Sequence, residues 1–236
     1  MDYNINDILP YIDILHLDSL SHFTADDAMI RIENYYARYE EEDNSLLLPP
    51  FQYDEGCTKL VIIPSNLDYV IKIPFSACVS GDAIIGFENG GGDEYWDYCA
   101  LEMEIYLKFK EYCEKEGKEK FINFLLPIEQ VVSGPWDYPV YIQAKVVSAE
   151  YCFSRQYDFC NDVSINKIRT NKLELNSLPN FWLASCLEKL NNNIDTLKEL
   201  CDIIKIHNID DLHCGNVGFY NNFPVIIDYG GYSENY

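Results

Sequence analysis

Three polar side chains near the C-terminal end stand at spacings that suit chemistry. Asp211 and Asn216 lie five residues apart in Ile209-Asp210-Asp211-Leu212-His213-Cys214-Gly215-Asn216 and enter a hairpin signal. Asp228 leaves it, in Pro224-Val225-Ile226-Ile227-Asp228-Tyr229-Gly230. Carboxylate and amide oxygens are hard donors, the kind that magnesium accepts while keeping some of its waters. A carboxylate can also take the proton of an attacking hydroxyl. Far upstream, Lys72 interrupts the apolar run Val70-Ile71-Lys72-Ile73. Strands this apolar usually exclude charge from their buried face, so Lys72 either points outward by alternation or is kept inside for a task.

The segments D-L-H-C-G-N and D-Y-G resemble the D-L-x-x-x-N and D-F-G segments of the protein-kinase-like superfamily. The run is similar to small kinase-like proteins of phages and their bacterial hosts. It also resembles the aminoglycoside and choline kinase branch, which often carries His where His213 stands. The resemblance covers roughly 180 residues, from Phe51 to Gly231, and implies an α+β, bilobal protein-kinase-like fold. It implies ATP and Mg2+ as cofactors, with Asn216 and Asp228 as metal ligands and Asp211 as the catalytic carboxylate. Lys72, in a V-I-K strand, corresponds to the lysine that offsets phosphate charge. A helical glutamate should hold that lysine: Glu102, three and four residues before Ile105 and Tyr106, fits best, with Glu104 as the fallback. His213 falls where protein kinases place a lysine beside the transferring phosphate. Gln143, Ala144 and Lys145, within the stretch Gln143 to Val147, correspond to the hinge whose backbone binds adenine. Gly56, in Glu55-Gly56-Cys57-Thr58, stands alone in the phosphate-loop position.

Several positions depart from the pattern. No G-x-G-x-x-G precedes Lys72, so the phosphate lid is reduced. Gly90-Gly91-Gly92 follows the lysine strand and has no G-K-S/T attached, so it is expected to be a flexible insertion. Asp210 replaces the Arg that meets a phosphorylated activation loop in many kinases. The chain ends at Tyr236, soon after Asp228. The expectation is therefore a truncated C-lobe without the activation loop, the A-P-E segment and the peptide-binding helices.

These residues need elements to position them. Ile5, Ile8, Leu9, Ile12 and Leu15 recur at helical spacing. Thr24-Ala25-Asp26-Asp27 opens a second helix, with Thr24 as cap and acids at its positive end. Pro49-Pro50 then punctuates the chain. Lys59 to Ile63 and Tyr69 to Ile73 read as a strand pair, and Asp97 to Gly117 as a helix. A strand pair follows at Phe124–Val132 and Val140–Val146. Residues 149 to 180 look irregular, with short helical pieces. Phe181 to His207 is helical in one or two parts, and Val217–Tyr220 pairs with Pro224–Asp228. The expected organisation is an N-terminal helical extension (1–50), a kinase-like N-lobe (51–147) and a reduced, mostly helical C-lobe (148–236).

Composition bounds the partners. The 236 residues hold 17 basic and 39 acidic side chains, a formal charge of −22, with no Lys/Arg-rich run. A nucleic-acid backbone would be repelled, so no direct nucleic-acid partner is expected. The acidity serves solubility, or offers a surface to a basic protein partner. No apolar stretch approaches the ~18 residues of a membrane span, and Met1 to Pro10 has no basic n-region. A cytoplasmic protein of a bacterial or phage-infected cell, without a membrane partner, is expected. Nine scattered cysteines without C-x-x-C suggest neither a disulfide framework nor a zinc site.

Three functions follow from the resemblance. One is an ATP-dependent phosphotransferase acting on a protein or small hydroxyl acceptor. Another is a pseudokinase or phage-type acidic interaction protein, binding a host or nucleic-acid-binding partner without catalysis. The third is transfer of a nucleotide rather than a phosphate.

Overall fold

The computed structural model describes residues 3–17, 23–41, 50–56, 58–80, 83–86, 97–132, 134–149, 163–170, 178–209 and 211–230. Cys57, Gly90-Gly91-Gly92 and Asp210 lie outside the described residues. The protein is mixed α+β with antiparallel sheets. It divides into two compact units, Met1–Leu101 with Ile128–Lys145, and Glu102–Pro127 with Val146–Tyr236.

The first unit is built on a five-stranded sheet. Its strands are β1 (Phe51–Glu55), β2 (Lys59–Pro64), β3 (Tyr69–Pro74), β6 (Ile128–Gln130) and β7 (Tyr141–Ala144). Their spatial order is β1-β2-β3-β7-β6, and every neighbouring pair is antiparallel. A separate hairpin joins β4 (Ala77–Ser80) to β5 (Ala83–Gly86). Cross-strand partners share a face, so the register sorts the side chains into two sets. Leu60, Ile62, Ile71, Ile73 and Ile142 form one set, and all are fully buried. They pack with α1 (Ile5–Asp13) and α2 (Ala25–Glu41), through Ile8, Tyr11, Ile12, Ala28 and Ile32. The N-terminal helices therefore share one core with the sheet.

Local chemistry holds those helices. Thr24 Oγ1 accepts from the Asp27 amide (3.2 Å) and Asp27 Oδ2 accepts from the Thr24 amide (3.0 Å), a reciprocal cap. Arg31 donates to the carbonyls of Leu15 and His16, and its guanidinium lies over the Phe23 ring. The α1–α2 connection is thus tied to α2.

The second unit packs helices around a small sheet. Helix α3 (Tyr98–Lys115) starts in the first unit and continues into the second, where a 3-10 turn (Glu119–Phe124) follows it. Then come α4 (Val163–Thr170), α5 (Asn180–Lys189) and α6 (Ile194–Ile206). The helical stripe from Phe181 to His207 is interrupted by Asn191 and Asn192, both at left-handed φ (57° and 56°). Asn193 then caps α6 by accepting from the Asp195 and Thr196 amides. Strands β8 (Val147–Ser148), β9 (Val217–Tyr220) and β10 (Phe223–Ile226) form a sheet in the order β10-β9-β8. Gly218 lets β8 approach, because a Cβ there would stand 2.7 Å from the Val147 carbonyl. Trp182, Phe109, Phe121, Phe124, Leu197 and Ile204 lie in this unit's core. Cys99, Cys113, Cys186 and Cys201 are buried thiols and Cys214 is partly exposed. Among the described residues, no helix is long and apolar enough to cross a membrane.

Candidate functional site

In the second unit, the β9–β10 hairpin brings the C-terminal polar residues together. Its turn, Asn221-Asn222, has both residues at positive φ (50° and 62°), the geometry of a tight two-residue hairpin. Strand pairing sets the residue before β9, Asn216, against the residues after β10. The Asn216 carbonyl accepts from the Ile227 amide (2.9 Å) and, more loosely, from the Asp228 amide (3.4 Å). On its other side, Asn216 Nδ2 donates to the Asp211 carbonyl (2.6 Å), and the Asn216 amide donates to the His213 carbonyl (3.0 Å). Asn216 is thus the hub that joins Asp211, His213 and Asp228.

These bonds also orient the chemistry. With Nδ2 committed to Asp211, Oδ1 is the end of the Asn216 amide turned to accept a cation or donor. The Asp211 side chain is exposed and that of Asp228 half-buried. His213 is exposed, and its Nδ1 accepts from the Gly215 amide (3.1 Å), leaving Nε2 as the outward nitrogen.

Asp228 has a second anchor. The Leu126 amide donates to the Ile226 carbonyl (3.0 Å), and the Tyr229 hydroxyl donates to the Leu126 carbonyl (2.7 Å). One residue, Leu126, therefore holds the chain on both sides of Asp228. Burial pushes the Tyr229 phenol well above its ordinary value, and the nearby Glu102, Tyr106 and Asp228 push the same way. Tyr229 stays protonated and remains a donor.

Glu102 and Glu104 differ sharply. Glu102 is fully buried, whereas Glu104 is exposed and pairs with Lys108 at the next turn of the helix (2.5 Å). The second is the ordinary solvated helix face. The buried carboxylate lies near the Tyr229 ring, within the second unit.

The first unit carries the remaining candidates. Lys72 is only 5% exposed, so its alternation does not turn it into water. It lies opposite Val61 on one side and Tyr141 on the other. Its face of the sheet also holds Lys59, Tyr141 and Gln143, each 3% exposed or less. Tyr141 donates a short hydrogen bond to Asp97 Oδ2. Asp97 Oδ1 accepts from the Cys99 and Ala100 amides (2.9 Å each) at the start of α3. Burial pushes the Asp97 carboxyl above the usual aspartate range; the Tyr141 hydroxyl, those two amides and Lys59 pull the other way. The sequence reading passed over Asp97, Tyr141 and Lys59. The Asp97 cap was legible in principle, as an aspartate directly before a helical run.

Gln143 and Ala144 belong to β7 and pair with Val70 and Tyr69. Strand β6 begins opposite Gln143, at Ile128. At Lys145 the backbone donor is already used, by the Asp68 carbonyl (2.8 Å), and Nζ donates to the Pro64 carbonyl (2.5 Å). The strand expected over 140–146 therefore ends at Ala144, and Val147 belongs to β8, paired with β9 in the second unit. Gly56 is exposed and its amide donates to the Lys59 carbonyl (3.0 Å), closing the β1–β2 turn.

Against protein-family models, curated proteins and solved structures, the chain has no match.

The donor set fits magnesium. Two hard oxygens, from Asn216 and Asp228, stand on segments locked to each other by backbone bonds. Among the described residues, no three His, Cys, Asp or Glu side chains gather into an all-protein cage. Magnesium commonly takes one or two protein oxygens and completes its octahedron with phosphates and water.

Proposed function

We propose that this chain is a Mg-ATP-binding, kinase-like phosphotransferase that acts on a hydroxyl acceptor of a protein or small molecule. The observation that carries the reading is the Asn216 hub. Its bonds link Asp211, Asn216 and Asp228, which are three roles of one reaction: proton acceptor and two metal ligands. Asp211, the exposed member, takes the acceptor's hydroxyl proton or orients it. Asn216 and Asp228 hold the metal, which when bound neutralises charge on the phosphates. Lys72, buried in a strand, offsets further phosphate charge, and His213, between Asp211 and Asn216, keeps Nε2 for the transferring phosphate while Nδ1 accepts from Gly215. Glu102 is the internal carboxylate that the kinase reading pairs with that lysine. Gln143 and Ala144, at the end of β7, are the proposed adenine contacts.

The fold belongs to the same proposal: a bilobal kinase-like protein whose sheet unit has an N-terminal helical cover. A second reading, a non-catalytic acidic protein that binds a basic partner, draws on the charge of −22.

The test is incubation with magnesium and γ-labelled ATP, beside an Asp228→Asn variant. Label transferred to protein or metabolite, and lost in the variant, is the expected result. Transfer from α-labelled ATP alone would replace the proposal with nucleotidylation. Absence of nucleotide binding at millimolar magnesium would leave the acidic-partner reading.

A further inference from the structure

Hairpin turns run over the surface and are usually among the more mobile parts of a sheet. The turn between β2 and β3, residues 64–68, is instead bonded to distant segments of the first unit. Ser65, Asn66 and Asp68 are exposed, yet four hydrogen bonds hold this short stretch. On one side, the Tyr11 hydroxyl of α1 donates to Asn66 Oδ1 (2.9 Å), and the Ser65 amide donates to the Pro50 carbonyl (2.8 Å). On the other, Lys145 grips the turn twice, with its amide on the Asp68 carbonyl (2.8 Å) and its Nζ on the Pro64 carbonyl (2.5 Å). The Tyr11 ring is buried and meets Phe51 edge-on, so its hydroxyl is held in place. The turn is thus a strut between α1 and the end of β7.

That strut sets the direction of one peptide. Tyr69 lies opposite Ala144, and the Lys145-to-Asp68 bond flanks this pair. In an antiparallel ladder a pair flanked in this way exchanges no bonds of its own. The Ala144–Lys145 peptide is planar, so with its N–H aimed at Asp68 the Ala144 carbonyl points away from β3. Strand β6 begins opposite Gln143, one residue short of that carbonyl. The end of β7 that offers the proposed adenine contacts is therefore oriented by Lys145, and Lys145 by the turn.

We propose that Tyr11 and Asn66 are positioning residues for the nucleobase: through the β2–β3 turn, α1 holds the Ala144–Lys145 peptide in the orientation that receives the base. The proposal rests on the Mg-ATP reading above. It gives the N-terminal helices a part in base recognition and none in phosphate binding.

Calorimetric titration of the full chain with Mg-ATP, adenosine and inorganic tripolyphosphate tests it, using wild type, Tyr11→Phe, Asn66→Leu and Asn66→Asp. Tyr11→Phe and Asn66→Leu should each weaken ATP and adenosine about 3- to 10-fold, the scale of one ordinary hydrogen bond, and leave tripolyphosphate unchanged. Asn66→Asp keeps the acceptor and should bind all three as wild type does. A role in stability alone would move the urea midpoint and leave the ratio of adenosine to tripolyphosphate affinity where it was. Should Tyr11→Phe not fold, the two variants of the exposed Asn66 carry the test. Wild type that binds ATP, with that ratio unchanged in Tyr11→Phe and Asn66→Leu, overturns the inference and leaves the nucleotide reading standing. So does wild type that binds ATP and tripolyphosphate but not adenosine. Wild type that binds neither ATP nor tripolyphosphate overturns both.

Discussion

The two faces of the five-stranded sheet use the same strands for opposite ends. Ile71 and Lys72 are adjacent in β3, and both are buried. Ile71 joins Leu60, Ile62, Ile73 and Ile142 in the core under α1 and α2. Lys72 joins Lys59, Tyr141 and Gln143 on the other side. The first face follows from the transfer of apolar surface out of water. The second opposes it, since each buried polar group costs free energy unless it is bonded. Burying Lys72 and Lys59 needs bonded partners, which burying Ile71 does not. Function is therefore to be sought on the polar face, and stability on the apolar one.

The sharpest way to break this contrast is to change the adjacent pair. Lys72→Met should lower phosphotransfer about 10²- to 10³-fold, as loss of one charge-stabilising donor does elsewhere, with little change in the urea midpoint. Ile71→Ala should do the reverse, losing about 2–5 kcal/mol of stability while the folded protein keeps the proposed Mg-ATP affinity. An alanine variant that is stable but blind to nucleotide would mean that the faces are assigned the wrong way round.

A smaller effect belongs to the second unit. Tyr229→Phe keeps the ring and removes the donor to the Leu126 carbonyl. It should cost about 1–3 kcal/mol in urea unfolding, because a buried acceptor loses its partner. It should also raise the magnesium concentration needed for half-maximal nucleotide binding, since one anchor beside Asp228 is gone.

Asp97 sharpens the comparison through pH. Its folded pKa is raised above 3.8, chiefly by burial, so the folded state holds this proton more tightly than the unfolded chain. Its contribution to stability is fully present below the unfolded value and is lost as pH rises through the folded value. Asp97→Asn keeps the cap and should remove this decline from a series of urea melts upward from pH 3.8. Removal of its Tyr141 partner should move the Asp97 pKa further up, because that bond lowers it, as carboxyl NMR would show. The least effect is expected from Glu104→Gln, within about 0.5 kcal/mol and without change in activity, because its pair with Lys108 is exposed.

The legible parts of the molecule are the local ones. Capping at Thr24, the β2–β3 hairpin, the helix after Asp97 and the β9–β10 hairpin all show in short windows of sequence. The spacing of Asp211, Asn216 and Asp228 follows from that last hairpin, so the heart of the candidate site was visible too. The neighbours of Lys72 were not. Tyr141 lies opposite it only because β7 inserts between β3 and β6, a pairing across nearly seventy residues that no window contains. Lys59 looked ordinary, a lysine at a strand end, until register placed it on the buried face. The Tyr229 hydroxyl was hidden for the same reason, since its acceptor is 103 residues away.

That last separation bears on how the chain matures. The β9–β10 hairpin closes through a two-residue turn and can form within microseconds, whereas docking it on Leu126 must close a far longer loop. During refolding, hairpin signals should therefore return before Asp228 is fixed, and the proposed metal affinity should recover last. On the proposed function, competence for ligand would be a late checkpoint of assembly, withheld from a chain whose middle segment has not yet arrived.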